Sequence, residues 1–305
     1  AEKKQRQQEL IRAKQLLFID VSDAFYLYKS YSEDVAALEE IDKAFDDRMA
    51  ELKRRTGLGR SKRSEASSTE SKLYQNRAAL EDMKSQRDVT RELLEFLVGQ
   101  PVVSIKKEDI VIEVLPAVDE YLSTVDARPD VIASKEAATV AQKKVVIARA
   151  GFWPTVNVEG NNYIKRVGSA SDVDWDVTFN VNVPLFNGTQ TWGAVKEAQA
   201  LAQEAKLNYS RVKRQAILDI QNKYTQLNAN LRQRDAYQKA YDAAVNDYQL
   251  QQGDYKNNLV NNLDVLTSLE DLQLTHRGLI DIKTQTQRAY WALRIATGDF
   301  NDDTL

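Results

Sequence analysis

All five prolines of this 305-residue chain (Pro101, Pro116, Pro129, Pro154 and Pro184) fall between positions 101 and 184. Residues 1–100 and 185–305 contain none. Folds made of many short strands, or of regularly alternating strands and helices, need a breaker every ~8–15 residues. Two long arms without one exclude both kinds of fold. Disorder is excluded as well. With 43% apolar residues and a net charge of −3, the chain has enough apolar surface to form a core.

The arms read as helices. Residues 1–56 hold neither glycine nor proline. An apolar stripe runs through Leu10, Leu17, Val21, Phe25, Tyr28, Val35, Leu38, Ile41, Phe45, Met49 and Leu52. Its steps are mostly three or four residues or twice that, which predicts one long amphipathic helix. Gly57-Leu58-Gly59 interrupts it. A second helix over about 62–98 carries Leu73, Leu80, Met83, Leu94 and Leu97, and stops at Gly99 before Pro101. From residue 189 the theme returns. Trp192, Val195, Ala198, Ala202, Ala205, Tyr209, Val212, Ala216, Ile220, Tyr224, Leu227 and Leu231 advance by about 3.55 residues per step, between a straight helix and a coiled coil. Sixty residues of such helix measure roughly 90 Å. The pattern turns around Gly253–Asn262 and returns as a helix to Thr297-Gly298.

The arms are also copies of each other. Residues 10–99 slide onto 209–298 without a gap. Lys14 then meets Lys213, Asp20 meets Asp219, Leu73 meets Leu272, Leu80 meets Leu279, Leu94 meets Leu293 and Gly99 meets Gly298. The two interhelix turns coincide, with Gly59 on Asn258. Both residue types tolerate the positive φ that a tight turn requires. The expected fold is mainly α, with two repeats of a very long antiparallel coiled-coil hairpin.

The middle differs. A short β-like run, Ile110–Val114, precedes a short helix after Pro116, and residues 130–150 read as an alanine-rich helix. Asp174–Val183 alternates strictly. Trp175, Val177, Phe179, Val181 and Val183 lie on one face, and Asp174, Asp176, Thr178, Asn180 and Asn182 on the other. Thr155–Ile164 is a weaker partner strand, joined by a link containing Gly168. A ten-residue strand with one apolar and one wet face is the unit of a membrane β-barrel. An edge hairpin of a soluble sheet has the same pattern. The chain thus divides into helical hairpins at 1–99 and 189–299, a mixed connection at 100–129, a helix at 130–152, a strand hairpin at 153–188 and a tail at 300–305.

The residue inventory narrows the function. Without cysteine there is no disulfide, thiolate nucleophile or cysteine-bound zinc. One histidine, His276, leaves no material for a histidine metal site or a Ser-His-Asp triad. No Gly-rich phosphate loop is present, so an enzyme is not expected, nor a cofactor. A balance of 42 basic against 45 acidic residues argues against nucleic-acid binding. No apolar run is long enough for a transmembrane helix. The opening Ala1-Glu2-Lys3-Lys4 is polar, so the chain reads as mature or as starting inside a longer protein.

Three short motifs carry a family resemblance. Arg128-Pro129-Asp130-Val131 opens a helix that ends Ala148-Arg149-Ala150-Gly151-Phe152-Trp153-Pro154. Val183-Pro184-Leu185-Phe186-Asn187-Gly188 leads out of the second strand. Tyr255-Lys256-Asn257-Asn258 precedes Leu263-Asp264-Val265-Leu266 at the second turn. In that order, on a duplicated hairpin, they resemble the TolC-like outer-membrane efflux proteins over nearly the whole chain. The resemblance implies a homotrimeric duct, with a β-barrel in outer-membrane lipid and an α-barrel in the periplasm of a Gram-negative cell. A periplasmic adaptor and an inner-membrane pump would be its partners, in efflux or type I secretion. It also implies a leading helix and a first strand hairpin before Ala1, without which the barrel does not close. A coiled-coil scaffold without transport function and a periplasmic adaptor are the competing readings.

Mapped on the motifs, the resemblance puts adaptor contacts at the hairpin tips, on Leu58, Gly59, Asn258, Leu259 and Val260. The same apolar residues also suit packing of one tip on its neighbour. Asp264 matches a ring of acidic residues at the closed end, and Tyr255 and Glu65 match polar members of the closing links. The second acidic position is Thr267, and the usual basic partner falls on Val260. Asp264 equally suits a residue that starts a helix. The wet strand face, Asp174, Asp176, Thr178, Asn180 and Asn182, maps to the lumen.

Overall fold

The computed structural model describes residues 1–103, 105, 112, 115–165 and 172–298. The expected strand run at 110–114, Ile112 apart, and the link around Gly168 lie outside the described residues. The fold is mainly α with one antiparallel strand hairpin. In chain order the elements are α1 (Glu2–Gly57), α2 (Arg63–Val98), α3 (Val118–Leu122), a 3-10 turn at Val125–Ala127, α4 (Pro129–Ala150), β1 (Thr155–Asn162), β2 (Trp175–Asn182), α5 (Gln190–Lys256) and α6 (Asn262–Ala296). They form two compact units, Ala1–Ile11 with Asp126–Ala216, and Arg12–Val125 with Ile217–Leu305.

In the larger unit the predicted stripes face each other. Ile41 and Phe45 of α1, Leu73 of α2, and Leu266 and Leu269 of α6 make one buried cluster. Val35 and Leu38 meet Leu80 and Met83 in another, and Leu52, Tyr255 and Val265 in a third. The duplication is visible in the backbone. Gly59 and Asn258 both have positive φ, at 71° and 59°. Gly99 and Gly298 end their helices at the same φ of 75°, the left-handed conformation in which the N–H turns back to a carbonyl of the last turn, Gly99 to Glu95 at 2.8 Å and Gly298 to Ile295 at 3.2 Å. The repeats differ in how they fill one contact. A Cβ on Gly278 of α6 would lie 2.9 Å from Cδ1 and 3.2 Å from Cζ of Tyr237, with Cε1 closer still. The duplicated positions hold Ala79 and Leu38, which also pack together. One repeat pairs tyrosine with glycine, and the other pairs leucine with alanine.

The second turn is shorter than the sequence suggests. α5 continues through Gly253 to Lys256, and a glycine costs a helix interior only about 1 kcal/mol. The turn is made by Asn258, with Leu259 N–H donating to the Asp254 carbonyl at 2.9 Å, and by the cap at Asn261.

In the smaller unit Pro129 opens α4, where its missing N–H costs nothing. The Arg128 guanidinium, 3% exposed, is held by both carboxylate oxygens of Asp130 at 3.0 and 2.7 Å. β1 and β2 pair antiparallel from Thr155↔Asn182 to Asn162↔Trp175. Each strand spans eight residues, ending short of Ile164 and starting after Asp174.

Candidate functional site

The hairpin has two chemically opposite faces. The register places Val156 opposite Val181, Val158 opposite Phe179, and Gly160 opposite Val177, with Trp175 on the same parity. Valines 156, 158 and 181 and Phe179 are 62–70% exposed. Across the sheet, Thr178, Asn180 and Asn182 stand opposite Glu159, Asn157 and Thr155, which complete a polar face the β2 pattern alone did not reveal. Asp176 is pinned there, accepting from Asn161 Nδ2 at 3.2 Å and Tyr163 Oη at 2.8 Å. Asp174 lies just before β2, where its carbonyl accepts from Tyr163 N–H. At the base of the hairpin Phe152, Trp153, Leu185, Phe186 and Trp192 are more than half exposed.

At the tips, Leu58 and Leu259 point to solvent at 65% and 72% exposure. Val260 does not. It packs inward on the Leu52–Tyr255–Val265 cluster. Tyr255 is buried at 5% exposure beneath two cations, with the Arg48 guanidinium 3.5 Å and that of Arg55 4.4 Å from its ring centroid. Arg48 Nε donates to Asn262 Oδ1 at 2.8 Å, and Asn262 Nδ2 donates to Thr69 Oγ1 at 3.1 Å. Glu51 pairs with both arginines, at 3.3 Å and 3.2 Å. One arginine thus ties α1 to α2, α5 and α6. Burial lowers the Arg48 pKa, and Tyr255 and Glu51 oppose that shift. Arg48 and Asn262 were missed in the sequence. The available signal was a basic residue at stripe spacing between Phe45 and Leu52.

The structure does not join Glu65 to Tyr255. Glu65 accepts from Ser61 Oγ and stays with the start of its own helix. Asp264 closes a capping box. Asn261 Oδ1 accepts from the N–H groups of Leu263 and Asp264 at 2.7 and 3.2 Å, and Asp264 Oδ2 accepts from Asn261 N–H at 2.9 Å. Further along the hairpin, His276 stacks on Tyr241 at 4.6 Å, and burial lowers its pKa. Among the described residues no cluster of metal-ligating side chains occurs, and no helix is apolar enough to cross a membrane.

Duplicated helical hairpins carrying a two-faced strand hairpin describe a recognisable class. The model of the outer membrane efflux protein family matches residues 123–299, and the chain belongs to that family. It is 21% identical over 300 residues to the proteases secretion protein PrtF of Dickeya chrysanthemi, covering 92% of this chain and 64% of PrtF. It is 23% identical over 177 residues to the cation efflux system protein CusC of Escherichia coli K12, covering 56% of this chain and 38% of CusC. The outer membrane protein VceC of Vibrio cholerae shares the fold, with a TM-score of 0.85 at 21% identity, over 97% of this chain and 73% of VceC. The chain therefore spans less than two thirds of either curated relative.

Proposed function

We propose that the chain is a subunit of an outer-membrane exit duct for efflux or type I secretion, a passive conduit assembled from three copies. The hairpin is the observation that carries this reading. Two eight-residue strands cannot sustain in water an apolar face whose valines and phenylalanine are more than 40% exposed. Lipid outside and a wet lumen inside satisfy both faces, once further strands pair with the open edges. Asp174, Asp176, Thr178, Asn180 and Asn182 would then line the lumen. A coiled-coil scaffold has no use for such a hairpin.

The helical tips form the closable end. Leu58, Gly59, Asn258 and Leu259 offer an apolar docking point for a periplasmic adaptor, which couples the duct to an inner-membrane pump. Val260 supports that surface from beneath. Tyr255 acts in closure through Arg48 and Arg55, and Asp264 and Glu65 add acidic groups beside it. Cysteine labelling tests the hairpin, since the chain has no cysteine of its own. In outer membranes, a Cys at Asn180 should react with water-soluble maleimides, and one at Val158 only with lipid-soluble ones. Equal reaction of both with the water-soluble reagent overturns the reading.

A further inference from the structure

We propose that the cavity between α1, the end of α2 and Trp291 of α6 binds a small neutral aromatic molecule carrying one hydrogen-bonding group, of the phenol or naphthol class, with Ser22 as its polar anchor. The cavity measures about 340 Å³, within the range that takes small organic ligands. Phe18, Phe25 and Tyr26 of α1 and Trp291 of α6 supply four rings to its wall. Leu94 and Val98 of α2 and the segment at Val102 close it further. Val102 N–H donates to Glu95 Oε1 at 3.1 Å, which ties that segment back to α2.

Two polar groups of the wall meet each other, with Trp291 Nε1 donating to Tyr26 Oη at 3.1 Å. Ser22 is different. It lines the cavity, is 7% exposed, and its Oγ has no hydrogen-bond partner among the described residues. A hydroxyl within a helix commonly donates to the carbonyl four residues back, as Ser32, Thr90 and Thr286 do here. A buried hydroxyl that makes no such bond is costly to the fold, and a guest that supplies the partner removes the cost. Among the described residues no charged side chain lines the cavity, so the guest is neutral. The rings of Phe18 and Trp291 meet edge to face at 5.2 Å between centroids, and those of Phe25 and Tyr26 at 5.1 Å. A wall of such rings favours a flat aromatic guest over a flexible chain.

The duplication shows that the scaffold does not require this wall. The offset that superposes the two arms takes Phe18 to Ile217, Ser22 to Gln221 and Trp291 to Glu92. Gln221 and Glu92 are both exposed. The other hairpin forms its helices with neither the Phe–Trp pair nor the buried serine.

Methyl spectroscopy on the full chain, purified in detergent with its valine and leucine methyl groups isotopically labelled, tests the site. 2-Naphthol should shift the methyl signals of Val21, Leu94 and Val98 saturably, as one site. Naphthalene, which lacks the hydroxyl, should bind about tenfold more weakly. Ser22→Ala should weaken 2-naphthol about tenfold and leave naphthalene unchanged, which erases the preference. Val98→Trp, placed at the exposed rim, should block both probes while the far-UV circular dichroism stays native. The site is overturned if 2-naphthol moves none of these methyls, if Ser22→Ala binds it as tightly as the native chain, or if Val98→Trp still binds it. 1-Decanol binding as tightly as 2-naphthol also overturns it, because the groove then seats an acyl chain. The lining residues come from a single copy, so a negative result leaves the duct reading as it stands.

Discussion

Replacing Gly278 by alanine should couple strongly to Tyr237. The new Cβ would sit 2.9 Å from Cδ1 of the Tyr237 ring and closer still to Cε1, so the ring must leave its place on α6. Overpacking of this kind costs about 1–3 kcal/mol. Alanine in place of glycine within a helix returns about 1 kcal/mol. The net expected loss for Gly278→Ala is therefore about 1 kcal/mol. Tyr237→Leu copies the Leu38–Ala79 arrangement of the other repeat and removes the clash. In that background Gly278→Ala should stabilise by about 1 kcal/mol, a coupling of roughly 2 kcal/mol across the cycle. Urea unfolding followed by far-UV circular dichroism measures all four variants, with amide exchange at residues 276–282 as the local readout. Additivity within about 0.5 kcal/mol would refute the claim that the two repeats solve one packing problem in two ways.

Three further outcomes follow from the site. Asp34 has its pKa raised to about 6, first by burial and then by Asp281, against the pull of Arg277. Folding favours its protonated form, so it carries no penalty below about pH 4, and the penalty grows as pH rises to about 6. Discounted for solvent screening this amounts to about 2 kcal/mol at pH 7, and the stability of Asp34→Asn relative to the native chain should rise by that much between pH 4 and 7. Parallel curves would reject it. Arg48→Ala leaves the buried Asn262 Oδ1 without its donor, removes one of the two arginines paired with Glu51 and uncovers Tyr255; we expect a loss of about 3 kcal/mol and faster amide exchange at both tips, and a loss under about 1 kcal/mol would contradict the network. Asp264→Lys in the assembled duct should weaken cation block of conductance about tenfold in affinity; unchanged block would remove Asp264 from the gate.

The helices were legible because nothing interrupts them, and the turns because glycine and asparagine adopt the required positive φ most readily. Gly99 and Gly298 were readable as helix ends for the same reason. Gly253 misled, since glycine inside a helix is a small cost and the stop came from Asn258 and the Asn261 cap. The polar side of β2 was plain, but its partners Asn157, Glu159 and Asn161 required the register. The tip network was hidden by distance along the chain, since Arg48 and Asn262 are 214 residues apart. Only a cation within an apolar stripe hinted at it. The resemblance matched Tyr255 to polar closing links and put their basic partner at the position of Val260; the two arginines that cover the Tyr255 ring, Arg48 and Arg55, come from α1, which the motif at the second turn does not include.

Arg48 also decides how the tip can move. Its guanidinium covers Tyr255 of α5, holds Asn262 of α6 and, through that amide, reaches Thr69 of α2. Parting Arg48 from Asn262, or Asn262 from Thr69, leaves buried polar atoms without partners, so a partial release at either link is unfavourable. Loosening therefore spreads across the hairpins instead of stopping at one helix. If the proposed duct closes at this knot, it should behave as a latch with two positions, opening in discrete steps of fixed size rather than by graded widening.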